Sequence, residues 1–288
     1  MAYALDRPAD AVRAGDLVAP AVLTRKLDRL RSYLESVLAV VGPVDLTART
    51  PALEECVSVF AMVAERVRLV DTVHLGRLLA EGACVFEGAQ GVLLDEWRGF
   101  HPFTTWSTTT FDNAVELIGE DPYRLGVLRC FTTRHGTGPM VTEDAGLTAA
   151  LIDPNNTTGP WQGTFRVGHF DAVAHRYAAE VCGGVEGVAL THVDIAERTP
   201  DLRICRGYLT HDGALRRIAP GPFRDLDYQA MLTDRLTTAM PLLDPDAPTD
   251  WPAAVGAAVG APVVLTSHGP TARDKMPQRW HVVAARPR

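Results

Sequence analysis

No apolar run in this chain approaches the ~20 residues needed to cross a bilayer. The longest candidate, residues 253–265, is short and broken by Gly and Pro. The N-terminus, Met1-Ala2-Tyr3-Ala4-Leu5-Asp6-Arg7, lacks the basic start and apolar stretch of a signal peptide. These absences predict a cytoplasmic protein with no membrane partner. A surplus of basic charge is also missing: the formal net charge is -7, which argues against nucleic acid as a partner. The five cysteines (Cys56, Cys84, Cys130, Cys182, Cys205) show no CxxC spacing and cannot all pair. Each lies beside an apolar residue, so they read as buried free thiols in a reducing compartment. There is no internal repeat, low-complexity tract, inter-domain linker or convincing metal cluster.

What is present is the composition of a folded soluble protein, 47% hydrophobic and 22% charged over 288 residues. That length allows one large α/β domain or two smaller ones. Leu23, Leu27, Leu30, Leu34 and Leu38 recur at helical spacing, predicting a helix over 20–41 that Gly42-Pro43 ends. A second helix is expected from about residue 50 to Val70, with Val59, Met62, Val63, Val67 and Val70 inward, and a shorter one over 73–81. Gly82-Ala83-Cys84-Val85 reads as a short buried strand leading into Phe86-Glu87-Gly88-Ala89-Gln90-Gly91. Two glycines flanking a small residue and an amide suit a strand-ending turn that lets backbone approach a ligand.

Further on, a helix is expected over 111–119 and a strand over 125–133, running into the glycine loop 134–139. Residues 153–168, with Asn155, Asn156, Trp161 and several Gly and Thr, read as a long polar loop. Residues 171–182 read as a helix, 185–193 and 202–209 as strands, and 218–250 as a proline-rich excursion. A last helix (251–259) and core strand (262–266) follow. Helices alternating with short apolar strands is the α/β pattern. Polar residues cluster just past several strands: Thr191 to Asp194, and Ser267-His268-Gly269. Ligands of parallel sheets bind at such ends. A carboxylate there could accept from guanine N1 and its amino group. On spacing alone, however, Asp194 reads equally as a helix cap or ion pair, and 267–269 as a plain turn.

Phe86 to Asp95, followed by Pro102 to Thr110, resembles the FEGAQG-LLD…P…T signature of the adenylosuccinate synthetase family. Other segments match in the same order. They are R-x-G-D-L at 13–17, T-T-R-x-G-x-G-P-x-x-T-E at 132–143 and the amino-acid loop at 157–159. The G-W-x-D…R-Y, L-T-K-x-D and S-x-G-P patterns follow at 168–177, 190–194 and 267–270. The resemblance implies an α/β fold with a mostly parallel central sheet flanked by helices, related to phosphate-loop NTPases. It treats residues 1–288 as a single domain equal to the C-terminal two thirds of the family's chain, with the N-terminal strands missing.

It further implies a GTP-dependent ligase joining aspartate to C6 of inosine monophosphate (IMP) in purine nucleotide biosynthesis. GTP first phosphorylates the purine 6-oxygen, and the amine then displaces phosphate. Carried over, Gln90 would lie near O6 and Thr105 at the 5′-phosphate. Asn156, Thr157, Thr158, Gly159 and Arg166 would face the amino acid. His192, Val193, Asp194, Ser267, His268 and Gly269 would hold GTP.

The family's phosphate loop, general base and catalytic His have no counterpart among these residues, and no G-x-x-x-x-G-K run occurs. The Mg²⁺ that would accompany GTP has its family ligands in that unmatched part. The family's run of arginines in the amino-acid loop is reduced to Arg166, which opens the acceptor to another amine or purine nucleotide. His192 replaces the family's Lys. His135 and His169 match no family acid or base. Two readings remain open: a homodimeric ligase, its phosphate loop supplied by the full gene product or a partner chain, or a non-catalytic nucleotide-binding paralogue.

Overall fold

The computed structural model describes residues 2–42, 51–153, 156–160 and 162–278. Asn155 and Trp161 of the expected polar loop lie outside them. The chain divides into two compact units, Met1–Val85 and Phe86–Arg288.

The first unit is helical: α1 (Ala2–Asp6), α2 (Pro20–Val41), α3 (Leu53–Ala64) and α4 (Thr72–Glu81). Pro20 opens α2, where its missing N–H costs nothing, and Gly42 ends it at φ 119°, a conformation that suits glycine. Asp16 fixes the turn before α2, accepting from the Arg13 amide (2.7 Å) and from Lys26 Nζ on the helix (2.9 Å). These contacts hold its carboxyl below the usual range, the Lys26 bond first. Asp71 caps α4 by accepting from the His74 amide.

Three expectations fail in this unit. The second helix stops at Ala64 rather than Val70, and Val59, Met62, Val63, Val67 and Val70 are exposed. Residues 82–85 form no strand and are exposed. An apolar run becomes a strand only where a neighbour accepts its backbone hydrogen bonds, and none pairs there. Cys84 is accordingly an exposed thiol, while Cys130 and Cys205 are buried and all five are free.

The second unit carries the sheets. After α5 (Asp112–Ile118) come β1 (Leu125–Arg129) and β2 (Thr132–His135). Next are α6 (Ala145–Ala150), β3 (Phe165–Gly168), β4 (Phe170–Asp171), α7 (Ala172–Val181), β5 (Gly187–Thr191) and α8 (Val193–Glu197). Then follow β6 (Ile204–Thr210), β7 (Gly213–Leu215), α9 (Leu226–Thr237), β8 (Met240–Leu243), α10 (Trp251–Val259), β9 (Val263–Ser267) and β10 (Lys275–Pro277).

The central sheet runs β1-β5-β9-β10, its first three strands parallel and β10 antiparallel. β5 is buried along nearly its whole length, as a parallel strand covered on both faces must be. β2 and β3 form a separate ribbon, with Arg134 opposite Arg166 and His135 opposite Phe165. A third sheet orders β4-β6-β7, with β8 on β6.

Here too the structure corrects the reading. The expected strand over 125–133 is two strands in different sheets, broken at Cys130-Phe131, both buried. The polar loop ends early, because 165–168 pair as β3. The excursion 218–250 contains α9 and β8, and β8 completes the third sheet by pairing with β6. Asp225 caps α9, and Gln229, Leu232, Thr233 and Leu236 bury its inner face.

One apolar cluster joins Val188 and Leu190 of β5 to Val255 and Val259 of α10. A second gathers Phe100, Tyr177, Tyr208, Ile218, Leu232 and Leu236. α7 lies between them, placing Ala172 in the first and Val173 and Tyr177 in the second. Its cap, Asp171, is buried; one oxygen accepts from the Ala174 amide (3.0 Å) and from the Tyr208 hydroxyl (2.6 Å) of β6.

Candidate functional site

Three parallel strands end side by side. Register pairs Arg129 with Thr191 across β1 and β5, and Leu190 with Thr266 across β5 and β9. The turns 191–194 and 267–269 therefore leave the same edge of the sheet from neighbouring strands. At the first, the Thr191 hydroxyl lies within hydrogen-bond distance of Leu128 O (3.1 Å) and of His192 Nδ1 (2.9 Å), tying the ring to the strand end. His192 sits in the left-handed region (φ 61°), its ring edge-on to Phe131. Burial, with Arg129 nearby, lowers its pKa.

Val193 turns its side chain into the core, leaving only backbone for a ligand. Asp194 is ion-paired through Oδ2 with Arg198 one turn on (2.6 Å), while Oδ1 has no hydrogen-bond partner among the described residues. Arg198 is largely exposed, so that pair holds the carboxylate by only ~0.5 kcal/mol.

At the second turn, Ser267 is buried and its hydroxyl donates to Gly269 O (3.1 Å). Lys275 Nζ donates to the same carbonyl (2.7 Å), and the His268 ring meets the Thr266 hydroxyl (3.2 Å). The Gly269 N–H has no partner among the described residues. A Cβ on Gly269 would lie 2.8 Å from the Asp274 carboxyl, so this close approach requires glycine.

The glycine turn and hydroxyl run sit together elsewhere in this unit. Gln90 is left-handed (φ 66°), and the Ser107 hydroxyl donates to its Oε1 (3.4 Å). Asp95 organises the whole loop. Its Oδ1 accepts from the Trp97 and Arg98 amides (2.8 and 2.9 Å) and its Oδ2 from the Thr109 amide (2.7 Å). The Thr105 amide donates to Leu94 O (2.7 Å), leaving a half-buried hydroxyl beside the turn. Arg134 clasps this loop to the next: Nη2 donates to Phe103 O (2.7 Å) and Nε to Thr137 O (2.9 Å). Burial first, then Arg166 beside it, lowers its pKa to about 10.

A Cβ on Gly99 would sit 2.6 and 2.7 Å from the carbonyls of Asp95 and Leu93. Gly99→Ala is therefore expected to destabilise this unit by about 2 kcal/mol, read from denaturant unfolding. An unchanged midpoint would show that the loop yields.

The amino-acid loop meets the ribbon. The Gly136 amide donates to Thr164 O (3.0 Å), Gly159 and Gly163 exchange backbone bonds, and the Gln162 side chain lies against Gly159. Thr157 and Thr158 are both exposed. Asn156 Nδ2 donates to Asp153 (2.6 Å). Arg166 is already engaged, donating to Glu143 (2.6 Å) and to Gly138 O (2.9 Å), although its buried Nε is unpartnered. His135 Nε2 is likewise buried and unpartnered. His169 is a structural hydrogen-bonder, its Nδ1 accepting from the Arg203 amide (3.2 Å).

Sequence reasoning marked Arg134 only as the start of a glycine loop and missed Arg129, whose partner 24 residues away leaves no local signal. Among the described residues no group of His, Cys, Asp or Glu could hold a metal. Two cavities of about 450 and 470 Å³, lined in part by Glu180 with Val185 and by Pro252 with Pro262, border the opposite, amino-terminal edge of the sheet. They carry no convergent chemistry; the strand-end cluster does.

Parallel strands ending in a carboxylate, a serine and a close glycine turn define an α/β protein with a ligand edge of the kind nucleotides occupy. Residues 1–239 match the profile of the adenylosuccinate synthetase family, and the chain belongs to that family. It is 29% identical to adenylosuccinate synthetase 1 of Pseudoalteromonas translucida, covering 92% of this chain and 65% of that protein. With the enzyme of Hahella chejuensis it shares 35% identity over 70% of this chain and 48% of the relative. The chain thus spans between about half and two thirds of these relatives. The fully ligated adenylosuccinate synthetase of Plasmodium falciparum has the same fold: TM-score 0.75 at 17% identity, covering 96% of this chain and 68% of that one.

Proposed function

We propose that this chain holds the purine-nucleotide and guanine-binding parts of a GTP-dependent ligase. That ligase joins aspartate, or another amine, to C6 of an IMP-like nucleotide. The observation that carries the reading is the placement of Asp194 and of Ser267 to Gly269 on adjacent parallel strand ends. Asp194 would accept from guanine N1–H and the 2-amino group, and the unbound Gly269 N–H would donate to the base carbonyl. Because the Ser267 hydroxyl is spent on Gly269 O, its part is to shape that turn. His192 would border the base.

Gln90 would bond the acceptor purine near O6, and Thr105 its 5′-phosphate. Asn156, Thr157, Thr158 and Gly159 would line the amine, with Arg166 adding its charge from the ribbon. Magnesium would come with GTP, but the described residues offer it no ligand cluster. In the family's pattern the ligase is a cytoplasmic homodimer.

The lack of a G-x-x-x-x-G-K run within these residues favours a second reading, a nucleotide-binding protein without chemistry. Calorimetric titration of the 288-residue chain with GTP and IMP, followed by a phosphate-release assay with aspartate, separates them. Saturable GTP binding is expected under both. Phosphate release by this chain alone would sink the non-catalytic reading, and failure to bind GTP would overturn both.

A further inference from the structure

We infer that Arg129 is a positioning residue linking the guanine edge to the amino-acid loop, so that occupancy of the first orders the second. The inference rests on the base-site reading above and adds a residue that neither the motif order nor the strand-end geometry assigns. Arg129 ends β1 beside Thr191. Its guanidinium lies 5.9 Å from the ring centres of both Phe131 and Phe165. Phe131 receives the edge of His192 at 5.3 Å, and Phe165 the edge of His135 at 5.0 Å. The same guanidinium reaches Asp153 at 3.4 Å, and Asp153 accepts from Asn156 at 2.6 Å.

One planar cation thus touches the ring packed on the base-reading turn, the ring of the ribbon, and the carboxylate that holds the start of the amino-acid loop. The Arg129–Asp153 pair is 30% and 19% exposed, so it is screened less than a surface pair. Coupling between sites travels through such contiguous contacts only if the linking group has two arrangements that both sites bias. Movement of His192 onto a base shifts Phe131, and the guanidinium follows the ring or the carboxylate. A lysine keeps the charge but lacks the planar fork that can approach two rings while bonding Asp153.

The test uses the full chain, two-dimensional NMR and GTP alone as probe. In the unchanged protein the Gly269 amide and His192 ring signals move with GTP, and the Asn156 side-chain amide moves with the same midpoint. In Arg129→Gln the Gly269 and His192 shifts persist, while the Asn156 shift falls by about threefold or more, the scale of a modest coupling. Arg129→Lys recovers less than half of it. Asp153→Asn breaks the link from the other side and decides the matter if Arg129→Gln fails to fold. An equal Asn156 shift in the variants, or none in the unchanged protein while Gly269 moves, overturns the inference. No movement at Gly269 overturns the base-site reading, and this inference with it.

Discussion

Exchanging Asp194 for Asn lowers the affinity for GTP by roughly 100-fold and raises that for XTP, if the strand-end turn reads guanine. A carboxylate accepts two charge-assisted hydrogen bonds from N1–H and the 2-amino group, and losing such a pair costs about 3 kcal/mol. Asparagine keeps one acceptor but turns an N–H₂ toward the amino group, setting donor against donor. Xanthine carries an oxygen at that position, so the asparagine amide gains a partner there. Arg198 does not mask the effect, because its bond occupies one carboxylate oxygen and is largely exposed. Titration of both chains with GTP and XTP measures the exchange. Unchanged selectivity would mean that Asp194 serves Arg198 alone.

The second large effect is on stability. Asp171 is fully buried, and desolvation raises its pKa from 3.8 to about 6, although the Ala174 amide and the Tyr208 hydroxyl pull it down. The Tyr208 phenol is pushed well above its ordinary value by the same burial and by the carboxylate it faces. A folded-state pKa above the unfolded one means that folding favours the protonated acid. That stabilisation is complete below about pH 4 and is lost as pH rises through 6. The difference amounts to about 3 kcal/mol, a large share of the ~5–15 kcal/mol that holds a domain.

Asp171→Asn keeps an oxygen for the Ala174 and Tyr208 donors while removing the charge. It is expected to be more stable than the parent near neutral pH by up to about 3 kcal/mol, with the step between pH 4 and 6 flattened. Urea unfolding at several pH values reads this directly. A variant that keeps the step would assign it to another group.

Much of the fold is legible in the order of the amino acids. The leucine spacing, Pro20 and Gly42 delimit α2 to the residue, and the apolar runs at β5 and β9 form strands, the first covered on both faces and the second paired beside it. The failures have physical causes. Residues 82–85 have the composition of a strand, but strand formation is a property of pairs. The inner face of α9 includes Gln229 and Thr233, whose polarity hid the helical stripe inside a proline-rich stretch. Motif order singled out Asp194, Ser267 and Gly269 as candidates, and β5 and β9, the strands at whose ends they lie, run side by side. It did not show that Glu143, 23 residues distant, already binds Arg166, or that Ser267 spends its proton on Gly269. Those depend on contacts that no local pattern encodes.

Gln90 lies at a positive φ of 66°, where a side-chain-bearing residue costs of order 1 kcal/mol and glycine costs nothing. Two glycines already flank this turn within two residues, so a third would be an easy substitution. Under selection for stability alone the amide would drift away. Its presence at a strained, exposed position reads as a trade in which stability is given up for an amide held in a fixed direction. Stability-driven redesign of this chain would therefore erase that side chain first, and the turn with its purpose.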